Sequence, residues 1–255
     1  MEFIASASTD IGNVKKTNQD SLNVRVISSS AGNMVFAVLC DGMGGLAKGE
    51  VASATVLTAF RNWSNEVLPK LCVSGIDDDV IREEWTKLAR ECNEKIKIYG
   101  KRSACNLGTT LTAMLLTEER YYIVNVGDTR AYEIFNYVAV LTKDQTVVAR
   151  EVELGNLTPE QAETDPRRSV LLQCIGSSDV VYPEFFFGET KKGAVYMLCS
   201  DGFRHEITTD DIFYYFKPDR MLDSESMRVG ELTLIELNKQ REERDNISVI
   251  TVKTY

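Results

Sequence analysis

The chain has 255 residues, 44% hydrophobic and 26% charged, with a formal net charge of −9 at pH 7, which is ordinary for a folded protein long enough to bury a sizeable core. The acidic excess argues against nucleic acid and against an anionic membrane as the main partner. No segment approaches the roughly 18 apolar residues that cross a bilayer, and the N-terminus lacks the basic-then-apolar layout of a signal peptide, so a cytoplasmic location is expected.

In chain order, Phe3 to Ile27 holds two alternating segments around the turn-prone Ile11-Gly12-Asn13, and Ser28-Ser29-Ser30-Ala31-Gly32-Asn33 reads as a loop. Val35 to Cys40 is an unbroken apolar run, the pattern of a strand covered on both faces. After Asp41 comes the glycine-rich Gly42-Met43-Gly44-Gly45, then a helix carrying Val51, Thr55, Leu57, Ala59, Phe60 and Trp63, with Pro69 at or just beyond its end. A second helix opens at Asp77-Asp78-Asp79, whose charges suit a helix N-terminus, and turns Ile81, Trp85, Leu88, Ala89, Cys92 and Ile96 to the core.

From Gly108 the pattern changes to strands at 109–116, 121–126, 130–135 and 137–141, and their short links predict an antiparallel meander. Residues 143–170 are polar and irregular, with a helix start at Thr158-Pro159-Glu160; long insertions of this kind are often functional flaps. Strands at 184–188 and 195–199, helices at 210–216 and roughly 224–241, and a last strand at 247–252 complete the chain. Runs of helices and runs of strands, in place of strict alternation, predict an α+β fold. Nothing divides residues 1–255, so one domain is expected.

Two of these buried strands end on the same pair of residues. Val35 to Cys40 runs into Asp41-Gly42, and Val195 to Ser200 runs into Asp201-Gly202. A single Asp-Gly is most often a plain hairpin turn. Here the pair recurs after matching strands, Asp128 follows the strand at 121–126, and Asp245 precedes the one at 247–252. Carboxylates at such positions are badly placed for a core and well placed for a cation.

Other readings are weaker. Cys40, Cys72, Cys92, Cys105, Cys174 and Cys199 are scattered without a Cys-x-x-Cys pair, so they read as reduced core thiols and not as a zinc or disulfide framework. The one histidine, His205, lies between Arg204 and Glu206 and is expected at the surface; histidine-rich metal sites are excluded, and so is a Ser-His-Asp triad unless His205 itself serves. The glycines after Asp41 lack the Gly-Lys-Ser/Thr ending of a nucleotide cradle.

Thr17-Asn18-Gln19-Asp20-Ser21, Leu39-Cys40-Asp41-Gly42-Met43-Gly44-Gly45, Leu107-Gly108-Thr109-Thr110, Val126-Gly127-Asp128-Thr129-Arg130-Ala131-Tyr132, Leu198-Cys199-Ser200-Asp201-Gly202 and Asp245-Asn246-Ile247-Ser248 resemble, in order, the motifs of bacterial metal-dependent serine/threonine protein phosphatases of type 2C. Any one motif is weak; the ordered set is specific and covers nearly the whole chain. The resemblance implies a four-layer α-β-β-α sandwich, two antiparallel sheets flanked by helices, with a dimetal centre in a cleft at one end. By the same resemblance Asp41 bridges two Mn²⁺ or Mg²⁺ ions, Asp201 and Asp245 complete one site, and the Gly42 carbonyl serves the other. Asp20 binds an ion directly or through water, and Asp128 resembles the ligand of a third, weaker ion.

Hard divalent cations prefer such oxygen donors, and a water held between two ions about 3.5–4 Å apart becomes a nucleophile at neutral pH. It would attack phosphoserine or phosphothreonine in line, with no phosphoenzyme. Phosphoprotein substrates are implied, together with a companion serine/threonine kinase; a monomer is expected. Specificity is expected from the flap at 145–170 or from an outside partner.

Departures from the family pattern are local. Lys15 stands where a phosphate-binding arginine is usual, with Lys16 beside it, and lysine offers a point charge instead of a planar fork. Gln145 and Asp165 replace histidines, which shifts protonation of the leaving group to metal-bound water or a carboxylic acid. Thr129 replaces serine. Lys15, Gln145 and Asp165 are the only support for a metal-binding pseudophosphatase acting as a phosphopeptide-binding or regulatory module. A cysteine-dependent phosphatase built on Cys199 and Arg204 is one residue short in its loop, and Asp201 inside that loop would oppose both thiolate and phosphate.

Overall fold

The computed structural model describes residues 1–29, 31–43 and 48–255; the expectations at Ser30, Gly44 and Gly45 lie outside the described residues. Every residue of β3 (Gly32–Cys40) from Met34 onward is buried, and its two faces have different partners. Met34, Phe36, Val38 and Cys40 meet helices, whereas Val35, Ala37 and Leu39 meet a second sheet. An apolar residue at every position is what this double coverage requires.

The first sheet is antiparallel, ordered β1 (Phe3–Asp10), β12 (Ile247–Thr254), β11 (Val195–Cys199), β8 (Arg130–Ile134), β9 (Val138–Val140). The second, also antiparallel, runs β10 (Glu184–Glu189), β7 (Arg120–Val126), β6 (Leu111–Leu116), β3, β2 (Ser21–Ser29). Between them lies one apolar layer in which Val35, Ala37, Leu39 and Met114 face Tyr196, Leu198, Ile250 and Val252. A short ladder of β4 (Gly42–Met43) and β5 (Gly108–Thr109) stands beside the second sheet.

Helices α1 (Gly49–Glu66), α2 (Leu68–Ser74) and α3 (Asp78–Ser103) cover the outer face of the second sheet. Asp77 caps α3 by accepting from the Val80 amide, and Asp78 takes both oxygens to Arg120 at 2.7 and 2.8 Å, so the Asp triplet is a helix start and an ion pair. The first sheet carries α6 (Asp201–Arg204), α7 (Thr209–Phe216) and α8 (Ser224–Gln240). The fold is therefore the four-layer α+β sandwich expected. Among the described residues no helix is long and apolar enough to cross a membrane.

Three expectations change. Strands 109–141 are not one meander: β6 pairs with β7 in one sheet and β8 with β9 in the other. The chain crosses between sheets at Gly127, whose φ of +104° and close approach to Thr110 exclude a side chain. The expected loop at 28–33 is largely strand, with β2 running to Ser29 and β3 starting at Gly32, and Ser28 and Ser29 paired with Asn33 and Gly32. The 143–170 segment holds two short helices, α4 (Val147–Glu153), capped by Thr146, and α5 (Pro159–Thr164); the first is too short to display a helical period.

Trp85 is fully buried and packs on Phe36, Phe60 and Trp63 with ring centroids 6.1, 6.1 and 5.4 Å away. Trp85→Ala is expected to cost about 3–5 kcal/mol in urea unfolding; a loss below about 1 kcal/mol would mean that α3 does not supply the core of this layer.

Candidate metal centre and active site

The strands stop being apolar at one end of the sandwich, and the acidic residues begin there. Ser21 pairs with Cys40 across β2 and β3, which sets Asp20 and Asp41 side by side as the residues just outside that pair. Across the interior, the Ser200 amide donates to the Ser248 carbonyl at 3.0 Å and the Ser248 amide to Ser200 Oγ at 3.0 Å. This stitch holds Asp201, the first residue of α6, next to the turn that carries Asp245. Asp128 lies on the crossover between β7 and β8.

Neither Asp-Gly is a hairpin, and neither glycine has positive φ. Their smallness serves close approach. A Cβ on Gly42 would stand 2.4 Å from the Gln19 carbonyl and 2.5 Å from the Gly49 carbonyl, and one on Gly202 would stand 2.3 Å from the Asn246 carbonyl. Each glycine thus lets an Asp-bearing segment lie against backbone from another part of the chain.

Neutral groups hold the acids in place. Ser248 Oγ donates to Asp20 Oδ2 at 2.6 Å. Asn246 accepts from the Gln19 amide at 2.9 Å and donates to the carbonyls of Ile11 and Thr17, pinning the loop that carries Lys15 and Asp20. The Asp41 amide donates to Thr110 Oγ1 at 2.9 Å, and the Asp41 carbonyl accepts from the Thr110 amide and from Thr109 Oγ1.

The electrostatics are those of a crowded, only partly compensated acidic pocket. Asp41 is pushed well above the usual carboxylate range, first by burial and then by Asp20, Asp201, Asp128 and Asp245. Asp20 is raised to about 7 by burial, against the Ser248 hydrogen bond, with Asp201 and Asp245 adding to it. Asp128, 4% exposed, is also raised to about 7, by burial and then Asp201, against Arg204. Asp20 Oδ1 and Asp201 Oδ1 are buried and have no hydrogen-bond partner, which is costly unless a cation takes them. Unpartnered carboxylate oxygens, an all-oxygen donor set and a backbone made close by glycine suit a hard divalent cation. Among the described residues no three acidic or sulfur or imidazole groups already close on one point as a ligand set; Asp245 Oδ1 is instead taken by Lys15 Nζ at 2.7 Å.

The protein phosphatase 2C profile matches residues 13–229. The chain belongs to the protein phosphatase 2C family. The serine/threonine protein phosphatase PstP of Mycobacterium tuberculosis is 31% identical over 251 residues, 96% of this chain and 44% of PstP, so the chain spans less than half of that relative. Among solved structures, the S. agalactiae serine/threonine phosphatase matches with a TM-score of 0.85 at 27% identity over the whole of both chains. The catalytic domain of PstP in complex with two manganese ions matches with a TM-score of 0.78 at 27% identity, covering 98% of this chain and 97% of that one.

The positions where this member departs from the 2C pattern have structural roles of their own. Gln145 is buried, and its Oε1 accepts from the Gly127 amide at 2.8 Å and from Gln173 at 2.9 Å; it supports the crossover that presents Asp128. Asp165 is held down to about 2 by Arg167, which pairs with it at 2.8 Å, so it is ionised at neutral pH and carries no proton to donate. Thr129 keeps a hydroxyl contact with Thr112 at 2.6 Å. Cys199 faces the helix layer behind its sheet, and burial pushes its thiol up to about 12, which removes the thiolate that a cysteine-dependent phosphatase needs.

His205 corrects the expectation of a surface residue. It is 14% exposed, with Nε2 3.7 Å from Asp201 Oδ2 and Nδ1 3.5 Å from Glu243 Oε2. Its charged neighbours in sequence gave the wrong cue, because the short helix α6 turns it inward. Among the supporting residues not singled out in advance, Asn246 and Ser248 could have been found, since both lie in the motif around Asp245. Glu243 and the Arg130–Asp144–Arg204 pairs, with contacts of 2.7 and 3.1 Å, carry no local signal.

Asp20 and Asp128 hold protons more tightly folded than unfolded, so their contribution to stability is present below the ordinary carboxylate pKa and is lost as pH rises through about 7. In EDTA the melting midpoint is expected to fall between pH 5 and pH 8, by about 2–4 °C per kcal/mol lost in a domain of this size. Saturating Mn²⁺ should flatten or reverse that slope. A midpoint in EDTA that rises over the same interval would show that the acids are not crowded together.

Proposed function

We propose that residues 1–255 form one metal-dependent catalytic domain that hydrolyses phosphoserine and phosphothreonine in proteins. The observation that carries this reading is the convergence of Asp20, Asp41, Asp128, Asp201 and Asp245 on one end of the sandwich, with two buried carboxylate oxygens lacking partners. Family membership and the phosphatase relatives support it. The intact acidic set also favours an enzyme over a pseudophosphatase.

In this reading Asp41, Asp201, Asp245, Asp20 and the Gly42 carbonyl would hold two Mn²⁺ or Mg²⁺ ions, with Asp41 as the ligand both would share. When bound, the ions supply an acidified water as nucleophile and neutralise charge on the phosphoryl oxygens, so no phosphoenzyme is required. Asp128 is a weaker candidate for a third ion: Arg204 Nη2 is 3.8 Å from its Oδ2 and donates to its carbonyl at 3.1 Å, so any cation there competes with a guanidinium. Lys15, paired with Asp245 at 2.7 Å, would exchange that carboxylate for substrate phosphate. Because Gln145 is tied to backbone and Asp165 is ionised, the leaving alkoxide takes its proton from water or from a protonated carboxyl. A cytoplasmic monomer acting opposite a serine/threonine kinase fits this function.

Asp41→Asn and Asp201→Asn are each expected to lower kcat on a phosphothreonine peptide by about 10²-fold or more across a manganese titration, and EDTA should abolish wild-type turnover while thiol alkylation leaves it intact. Turnover that survives EDTA would overturn the reading. Lys15→Ala should raise KM for the phosphopeptide by about tenfold or more and Lys15→Arg should restore it; unchanged KM and kcat in both variants would remove Lys15 from the site.

A further inference from the structure

Glu243 lies two residues before Asp245 and is buried, with a side chain only 6% exposed. Its Oε1 accepts from the amides of Arg244 at 2.7 Å and Asp245 at 2.8 Å, so this carboxylate shapes the turn that presents Asp245. Its Oε2 has no hydrogen-bond partner and faces His205 Nδ1 at 3.5 Å, while the opposite edge of the same imidazole lies against Asp201. The ring is itself fixed. The His205 amide donates to the Asp201 carbonyl at 3.0 Å, and Asn238 anchors the Phe203 carbonyl of α6 at 2.8 Å.

A single imidazole therefore touches one acid of the site and the carboxylate that organises the turn of another. We propose that Glu243 and His205 are a positioning pair that sets Asp201 and Asp245 relative to each other, so that both can reach one divalent cation. The inference rests on the reading of those two aspartates as ligands of the same ion. Its physical basis is preorganisation. A ligand carboxylate that is free to swing must be ordered when the ion binds, whereas one held by a neighbour is already ordered, and loss of such outer contacts commonly costs 10–100-fold in metal affinity. Neither residue needs to touch substrate.

The test is Mn²⁺ affinity, measured by calorimetry on the metal-stripped chain, with KM for a phosphopeptide at saturating Mn²⁺ as the second readout. His205→Ala and Glu243→Ala should each weaken Mn²⁺ binding about tenfold or more and leave KM unchanged. The double variant should bind no worse than the weaker single, because the two residues act through one linkage. His205→Gln, which keeps a donor able to reach Asp201, should recover part of the loss. Wild-type affinity in His205→Ala, or losses that add in full in the double variant, would overturn the pair. If either alanine variant does not fold, Glu243→Gln decides: it keeps an acceptor for the two amides but removes the charge facing His205, so weakened binding supports the pair and undiminished binding overturns it. Asp201→Asn separates this proposal from the one beneath it, since equal Mn²⁺ binding by wild type and Asp201→Asn would defeat the metal-centre reading itself.

Discussion

The apolar layer between the two sheets, where Val35, Ala37 and Leu39 meet Tyr196, Leu198, Ile250 and Val252, fixes where charge can stand. Both faces of β3 and β11 are covered, so a polar side chain has no place along them. It can sit only where a strand leaves the layer. β3 leaves at Asp41 and β11 at Ser200 and Asp201, and the antiparallel pairing of β2 with β3 and of β11 with β12 brings Asp20 and Asp245 to the same end. The acidic pocket is thus a consequence of how the core is closed, and the hydrophobic effect acting on residues far from the site supplies the free energy that holds like charges together.

That assembly has a cost, and the surroundings show how it is met. Burial and mutual repulsion raise Asp20, Asp41 and Asp128. Against this stand the Ser248 hydroxyl on Asp20, the Arg204 guanidinium near Asp128 and the Lys15 ammonium on Asp245. Asp41 accepts at its backbone carbonyl, but no positive side chain pairs with its carboxylate among the described residues. Among the described residues Asp41 has neither an ion pair nor a hydrogen bond at its carboxylate, whereas Asp20 has the neutral Ser248 hydroxyl and Asp128 and Asp245 have cations beside them. A divalent cation would therefore gain most at the centre of the group, which is where a bridging ligand belongs.

Much of this was legible in the sequence, for a definite reason. β3 and β11, buried on both faces, leave unbroken apolar runs, and β7 and β12 leave apolar-rich segments interrupted only by Asn125 and by Ser248 and Thr251 before their last residues, so all four could be read directly, and Asp41, Asp128, Asp201 and Asp245 could be read as their ends. Helix caps were legible too, because Asp77 and Thr158 act on amides three residues away. What stayed hidden was non-local. The split of β6–β7 from β8–β9 depends on one glycine crossing between sheets, and a one-dimensional pattern of closely spaced strands is the same whether or not the chain changes sheet. The four residues of α6 are too few for periodicity, and with α6 unseen, His205 was judged by charged neighbours that point elsewhere.

The replacements at Gln145 and Asp165 and the placement of His205 belong together when judged by what each side chain can donate. Gln145 spends its carbonyl on the Gly127 amide, Asp165 is locked as an anion by Arg167, and the one imidazole is set between the carboxylates of Asp201 and Glu243. Neither replacement supplies a proton to an alkoxide. General acid catalysis is commonly worth 10²–10⁴-fold, but its value scales with the basicity of the leaving group, and serine or threonine alkoxide is strongly basic. The chemistry proposed here consequently leans on charge neutralisation at phosphorus and on correct placement of the aspartates, so small displacements of Asp201 or Asp245 should matter more in this chain than they would with an imidazole acid in the cleft. The energetic weight falls on the rigidity of the two turns that end β11 and begin β12, which are joined by the backbone hydrogen bond from Ser200 to Ser248 and, through side chains, by the buried carboxylate of Glu243 and the ring of His205.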